Sequence, residues 1–387
     1  MWNIKESIEQ LMPQVVGWRR QLHMHPEIAN QEAQTSQLVA HVLEDAGIQV
    51  TRYPESTAVV GTLVGGRPGR TVALRADMDA LPVQEDTGLD FCSQVTGKMH
   101  ACGHDLHVSN LLGVASLLAA HREQVPGTVK FIFQPAEESG GGGLPLVNAG
   151  VMEGVEKVFA LHVQPEIPTG QILVTPGYCT SNTDRATVTI HGKGGHGAHP
   201  ETAVDAIVIG AEIVGALQTI VSRNLAAQQA GVVTVGTFHA GEVCNIIAET
   251  AEIQLSLRSL TKETRELLKE RIGQLVQGIA AAHGATCQFD HHYGYPAAFN
   301  HEQAVKELLA AATPVLGEEN VIVSPLASMV GEDFAYYAEK APGTLFWLGA
   351  RVPAGQQAYP LHSPKVHFNE DCLKLGMEIM VNIVLNG

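Results

Sequence analysis

Positive charge is scarce in this chain: 24 Lys and Arg stand against 40 Asp and Glu among 387 residues, a formal net charge of −16. That deficit argues against nucleic acid or an anionic membrane as a partner, and it favours solubility. Cysteine is thinly spread as well. The six residues Cys92, Cys102, Cys179, Cys244, Cys287 and Cys372 lack paired spacing, which in a chain this long reads as reduced thiols, not as a disulfide framework. The opening residues, Met1-Trp2-Asn3-Ile4-Lys5, have no apolar core of a signal peptide, and no apolar run reaches about 18 residues without a polar interruption, so no membrane span is expected. Together these absences give a cytoplasmic reading. Internal repeats and low-complexity tails are also missing. The glycines Gly140–Gly143 are not followed by Gly-Lys-Ser/Thr, so a phosphate cradle has little support.

The length exceeds what one core usually organises, and two domains are expected. Helical periodicity covers 4–24 and 35–46; short strands follow at 50–53, 58–64 and 71–75, then a helix at 107–121, a strand at 128–133 and another at 157–162 that ends on His162. This alternation predicts a mixed, largely parallel α/β sheet flanked by helices. From about 183 the order becomes strand 185–191, helix 202–223, strands 232–239 and 251–258, helix 261–282 and strand 285–293, the βαββαβ order of a ferredoxin-like module. The α/β pattern then resumes: helix 301–312, strand 320–324, helix 333–339, strand 344–349 and helix 370–385. The predicted division is a discontinuous α/β domain, 1–182 with 295–387, interrupted by an α+β insertion, 183–294.

What the chain does have is a dense run of metal-ligand side chains: Met99-His100-Ala101-Cys102-Gly103-His104-Asp105-Leu106-His107. Thiolate and neutral imidazole suit zinc and similar cations. Other segments supply matching groups: Asp77 and Asp79 after one strand, Glu137-Glu138 after another, His162, and His362 in a late loop. Loops at the carboxyl ends of strands in an open α/β sheet gather in one crevice. The donors outnumber what one tetrahedral ion needs, and two cations about 3.5–4 Å apart would use the surplus. Side chains of neighbouring residues in an extended segment diverge, so one glutamate is expected to bind metal while the other takes a proton from water and passes it to a leaving amine. Asp79 suits the task of orienting a ligand imidazole. A Cys102–His104 nucleophile pair is the less favoured alternative, because side chains two apart rarely align for proton transfer. His41, His121, His283 and His301 read as structural.

Assembled in order, these residues resemble the M20 metallopeptidase family, and within it the amidohydrolase branch of hippurate hydrolases, auxin-conjugate hydrolases and N-acyl-amino-acid deacylases. The stretches that carry the resemblance are Leu22-His23-Met24-His25-Pro26-Glu27, Arg75–Pro82, Met99–His107, Phe133–Gly140, Gly194-Gly195-His196-Gly197-Ala198-His199-Pro200, Gly331-Glu332-Asp333-Phe334 and Leu361-His362-Ser363. The resemblance implies two divalent ions (zinc, manganese, cobalt or nickel) held by Cys102, His104, Glu138, His162 and His362, with Cys102 as the bridge and Glu137 as general base. It also implies that the insertion is a lid that mediates homodimerisation. His196 would stabilise the oxyanion, Asn245 and Arg258 would hold the substrate's free carboxylate, and Gly331 would line the substrate site. An Arg fork suits a planar carboxylate. Two departures bear on substrate choice: Ala248 stands where the family usually has Pro, and Met329-Val330 stand where small polar residues are common. The implied reaction is hydrolysis of the amide bond in an N-acyl-L-amino acid to a carboxylic acid and a free amino acid. A dipeptidase or aminoacylase-like peptidase is the alternative, and a metal-dependent ligand-binding protein without turnover is the alternative of another class.

Overall fold

In the computed structural model, which describes residues 2–386, the chain divides into two units. The first comprises Met1–Cys179, Phe299–Leu326 and Asp333–Gly387; the second comprises Thr180–Ala298 and Ala327–Glu332.

The first unit is built on an eight-stranded sheet. Its strands run, in spatial order, Gln49–Arg52, Val59–Val64, Pro126–Gln134, Arg67–Asp77, Lys157–Pro168, Gly343–Arg351, Ile172–Val174 and Val321–Val323. The central pairs are parallel: Arg67–Asp77 with Pro126–Gln134 and with Lys157–Pro168, and Lys157–Pro168 with Gly343–Arg351. Antiparallel strands flank them, so the sheet is mixed and largely parallel, with helices packed against it. Strand Gly343–Arg351 is buried along almost its whole length, as expected of a strand covered on both faces.

The second unit orders its strands Gly231–Ala240, Thr250–Ser259, Asn182–His191 and Thr286–Tyr293, each neighbour antiparallel. With helices Ala206–Asn224 and Lys262–Ala282 this is the ferredoxin-like arrangement. Alternate residues Ala186, Val188 and Ile190, and Ala251, Ile253, Leu255 and Leu257, face a core completed by Ile209, Ile213, Leu217, Leu268, Ile272 and Val276. Asp205 and Thr261 cap the two helices through their side-chain oxygens. Ala206–Asn224 is long and apolar enough to cross a membrane by length and composition, but its buried stripe belongs to this core.

Four elements differ from the sequence-based expectation. The helix expected at 107–121 begins at His104 and runs to Ala120, because Gly103, at φ +86°, turns the chain sharply into it. A side chain there would meet Val163 Cγ2 at 2.4 Å, so the position demands glycine on two counts. The strand expected to end on His162 continues to Pro168. The helix at 333–339 shrinks to Ala335–Ala338, while a short helix, Gly143–Asn148, follows the glycine loop.

Candidate metal and catalytic site

Seven of the candidate site residues meet in the first unit. Starting the helix at His104 puts His104 and His107 one turn apart on the same face. Both are buried, as are Cys102, His162 and Glu137.

The two central imidazoles are held in the same way. His104 Nδ1 lies 2.8 Å from the carbonyl oxygen of Asp79, and His162 Nδ1 lies 2.8 Å from that of Val163. A carbonyl only accepts, so each Nδ1 carries a proton and each Nε2 is the nitrogen left facing the site, a lone pair whenever the ring is neutral. His104 Nε2 is buried and has no hydrogen-bond partner among the described residues, and His162 Nε2 lies 3.5 Å from Cys102 Sγ. Three donor sets each have their atoms within 4.8 Å of one another: Cys102, His104 and His162; Cys102, Glu138 and His362; and His104, Glu137 and Glu138. Cys102 belongs to two of them. These residue types and this spacing could hold divalent ions, and a cation that displaced the proton of buried His104 Nε2 would gain it as a ligand.

Asp79 organises the glutamates. Its Oδ1 accepts the Glu137 N–H and its Oδ2 the Glu138 N–H, both at 3.0 Å, while its carbonyl holds His104. The turn that carries them contains Ala136 at φ +57°, a strained conformation for a residue with a side chain; the buried Glu32 accepts the Ala136 N–H at 3.0 Å and helps to enforce it. His362 is the second strained residue here, at φ +66°, and its N–H donates to the Ala101 carbonyl at 2.9 Å, tying the late loop to the segment that bears Cys102. His362 Nε2 is 3.1 Å from Glu138 Oε1.

Charge is concentrated. Burial alone would lower the His104 imidazole, but Asp77, Asp79 and Glu138 outweigh it and push it up to about 10. Burial would raise Glu138, yet His362 and His104 bring it down to about 2. Burial, reinforced by Glu138 and Glu137, pushes the Cys102 thiol well above its ordinary value. The cluster is therefore rich in acidic groups that a cation would stabilise.

Beneath it lies a network that the sequence did not announce. Arg75 donates to Gln134 Oε1 at 2.9 Å, to Asp77 Oδ2 at 2.6 Å and to Asp333 Oδ1 at 2.7 Å, and Asp333 Oδ2 also accepts the Gly143 N–H at 2.8 Å. On the other side of the helix start, Asp105 pairs with Arg19 at 2.9 Å and with His23 at 2.8 Å. The sequence signal was that Arg75, Asp77, Asp105, His23 and Asp333 stand in the stretches that carry the resemblance, although nothing there paired them.

The other four residues lie in the second unit. His196 is exposed on the short strand Gly195–His196, which pairs with Ile246–Ile247; the Gly197 N–H donates to the Asn245 carbonyl at 2.8 Å, so His196 and Asn245 are neighbours. Arg258 is opposite Thr183 across the sheet, and the Thr183 side chain would be 2.4 Å from any Cβ placed on Gly331. Arg258 is half-buried, its guanidinium bonded to Ser256 Oγ and the Leu257 carbonyl.

A family model described as peptidase family M20/M25/M40 matches residues 73–386. The thermostable carboxypeptidase 1 of Saccharolobus solfataricus is 39% identical over 96% of this chain and 95% of its own. The N-acyl-L-amino acid amidohydrolase of Geobacillus stearothermophilus is 40% identical over 78% of this chain and 81% of its own. Among solved structures, the YXEP protein of Bacillus subtilis, described as a dinuclear metal-binding peptidase from the M20 family, aligns with a TM-score of 0.84 and 32% identity, covering 98% of both chains.

Proposed function

The chain belongs to the M20/M25/M40 peptidase family, and from that premise we propose that it is a metal-dependent amidohydrolase that cleaves N-acyl-L-amino acids. Cys102, His104, Glu138, His162 and His362 would hold two divalent ions. The observation that carries this reading is the pair of imidazoles, His104 and His162, each with Nδ1 committed to a carbonyl and Nε2 turned to the same small space as Cys102. Bound there, the ions supply Lewis acidity, polarising the amide carbonyl and acidifying water.

Glu137 takes a proton from the attacking water on its carboxylate and delivers it to the leaving amine. Asp79 keeps Glu137 and Glu138 apart in role by fixing both backbones. His196 is assigned to the oxyanion, Asn245 and Arg258 to the substrate's free carboxylate, and Gly331 to the lining of the substrate site. In domain terms, 1–182 with 295–387 is assigned as the catalytic domain and 183–294 as the lid and dimerisation domain, except that Ala327–Glu332, with Gly331, group with the latter in the structure. Exposed Ile207 and Val208 on helix Ala206–Asn224, with exposed Phe238 on the helix side of the edge strand Gly231–Ala240, give that domain an apolar patch beside an open strand edge, which supports a homodimer. A cytoplasmic location fits the scattered, free cysteines.

The carboxypeptidase among the relatives favours a second reading, hydrolysis of a peptide bond with recognition of the terminal carboxylate. Assay of acetyl, benzoyl and indole-acetyl amino acids beside dipeptides, each with zinc, manganese, cobalt or nickel, separates the two. Turnover of N-acyl amino acids is the expected result; turnover of dipeptides alone would favour the second reading.

A further inference from the structure

We propose that His107 is a positioning residue that fixes Val163, and through it the ring of His162, an inference that rests on His162 being a metal ligand. The Val163 N–H lies 2.9 Å from His107 Nε2. A backbone amide only donates, so Nε2 is the acceptor and the proton of this ring sits on Nδ1, facing Asp77 Oδ1. The Val163 carbonyl in turn accepts Nδ1–H of His162. Both polar groups of Val163 are thus engaged by imidazoles, one buried beneath the site and one at its wall, their ring centroids 4.6 Å apart.

The sheet explains why a side chain is needed. Pairing of Lys157–Pro168 with Arg67–Asp77 reaches only as far as Ala160 opposite Arg75, whereas pairing on the other side continues through His162 and Val163 opposite Trp347 and Leu348. Where pairing with the neighbouring strand stops, His107 supplies the missing acceptor. Its other nitrogen is anchored by Asp77, which Arg75 ties to Asp333, and Asp333 holds Gly143 at the end of the loop that follows Glu137 and Glu138. The chain of bonds therefore sets the strand that bears His162 and the loop that bears the glutamates against one rigid frame. Asp77, His104 and His107 also form a donor set of metal-binding dimensions, but both nitrogens of His107 are already used, so a cation would have to break one of its bonds.

Replacement by an amide discriminates these roles. In His107→Gln the amide reaches the place of Nε2 and can accept from Val163; in His107→Asn it reaches only the place of Nδ1 and faces Asp77. The full-length protein, stripped and reloaded with zinc, is read for stoichiometry by elemental analysis, for affinity by competition with a chromophoric chelator, and for thermal unfolding without metal. His107→Asn is expected to weaken one of two zinc ions by about 10–100-fold, His107→Gln to recover most of that affinity, and both to hold two zinc ions at saturation. Wild-type affinity in His107→Asn would overturn the proposal, as would loss of one zinc in both variants, which would make His107 a ligand. Should His107→Asn fail to fold, Asp77→Asn is the second variant: a smaller loss of zinc affinity supports the proposal and none overturns it. Wild-type protein that takes up no zinc would instead overturn the two-ion reading, a result visible before any variant is made.

Discussion

Of the single residues, Asp79 carries the most structure for its size. It accepts two consecutive backbone N–H groups through its carboxylate and orients His104 through its carbonyl. Removal of the carboxylate frees the turn that Ala136 already strains. Asp79→Ala is expected to lower metal affinity and turnover by about 10–100-fold while the fold persists, checked by metal titration and circular dichroism. The residue types of this site were legible in the sequence because thiol, imidazole and carboxylate announce themselves. The left-handed backbone of Ala136 and His362 was not, since neither residue favours that conformation and only the surrounding bonds impose it. Among His104, Asp105 and His107 the resemblance singled out His104 as the ligand, but the bonds that the other two make depend on where the helix begins and were not legible.

Among the elements, the helix His104–Ala120 shows how burial hides boundaries. Nearly every side chain from His104 to Leu118 is buried, so there is no amphipathic stripe from which to read its first turn. The Arg67–Asp77 strand starts before its apolar core: its first residues are exposed, and Arg67 pairs with Pro126 ahead of an irregularity that ends where the regular ladder begins at Thr71. That early segment is joined to helix Glu302–Leu316 by Arg70, whose guanidinium grips both oxygens of Glu307, with Lys157 at 3.5 Å. Burial would raise the Glu307 carboxyl, but Arg70 and Lys157 hold it below the usual range. A depressed carboxylate stabilises the fold above its unfolded pKa, about 4.3, and that contribution fades as pH falls through the folded value. Urea unfolding of Glu307→Gln should therefore show a deficit of about 0.5–1 kcal/mol at pH 7 that narrows as the pH is taken toward 4 and below. A deficit that stays constant with pH would show that the pair contributes nothing through charge.

For the whole molecule, two cores are separated by a composition that gave no obvious linker, yet the switch from alternating strands and helices to the βαββαβ order was visible in periodicity alone. The return of the first pattern near 295 was visible too, because strands buried on both faces read as apolar runs, whereas those of the insertion alternate. Strand order in the sheet was beyond reach, because it depends on long-range pairing between residues more than a hundred positions apart, such as His162 with Trp347. The exposed apolar patch of the second unit carries the prediction of a dimer. Val208, 54% exposed, stands in the first turn of its helix, where an added carboxylate suits the helix dipole. Val208→Asp should leave the unfolding transition of the subunit intact while shifting the mass measured by light scattering from dimer to monomer. A wild-type monomer at micromolar concentration would refute the assignment.

The central claim is that the buried Glu137 moves the proton at a site that Cys102, His104, Glu138, His162 and His362 hold for metal. Glu137→Gln keeps the shape of the side chain and the backbone bond to Asp79 while removing the base. Paired measurement of metal content and steady-state hydrolysis of an N-acyl amino acid should find two ions per subunit and turnover reduced by about 10²–10⁴-fold. Full metal content with turnover near that of the wild type would contradict the account.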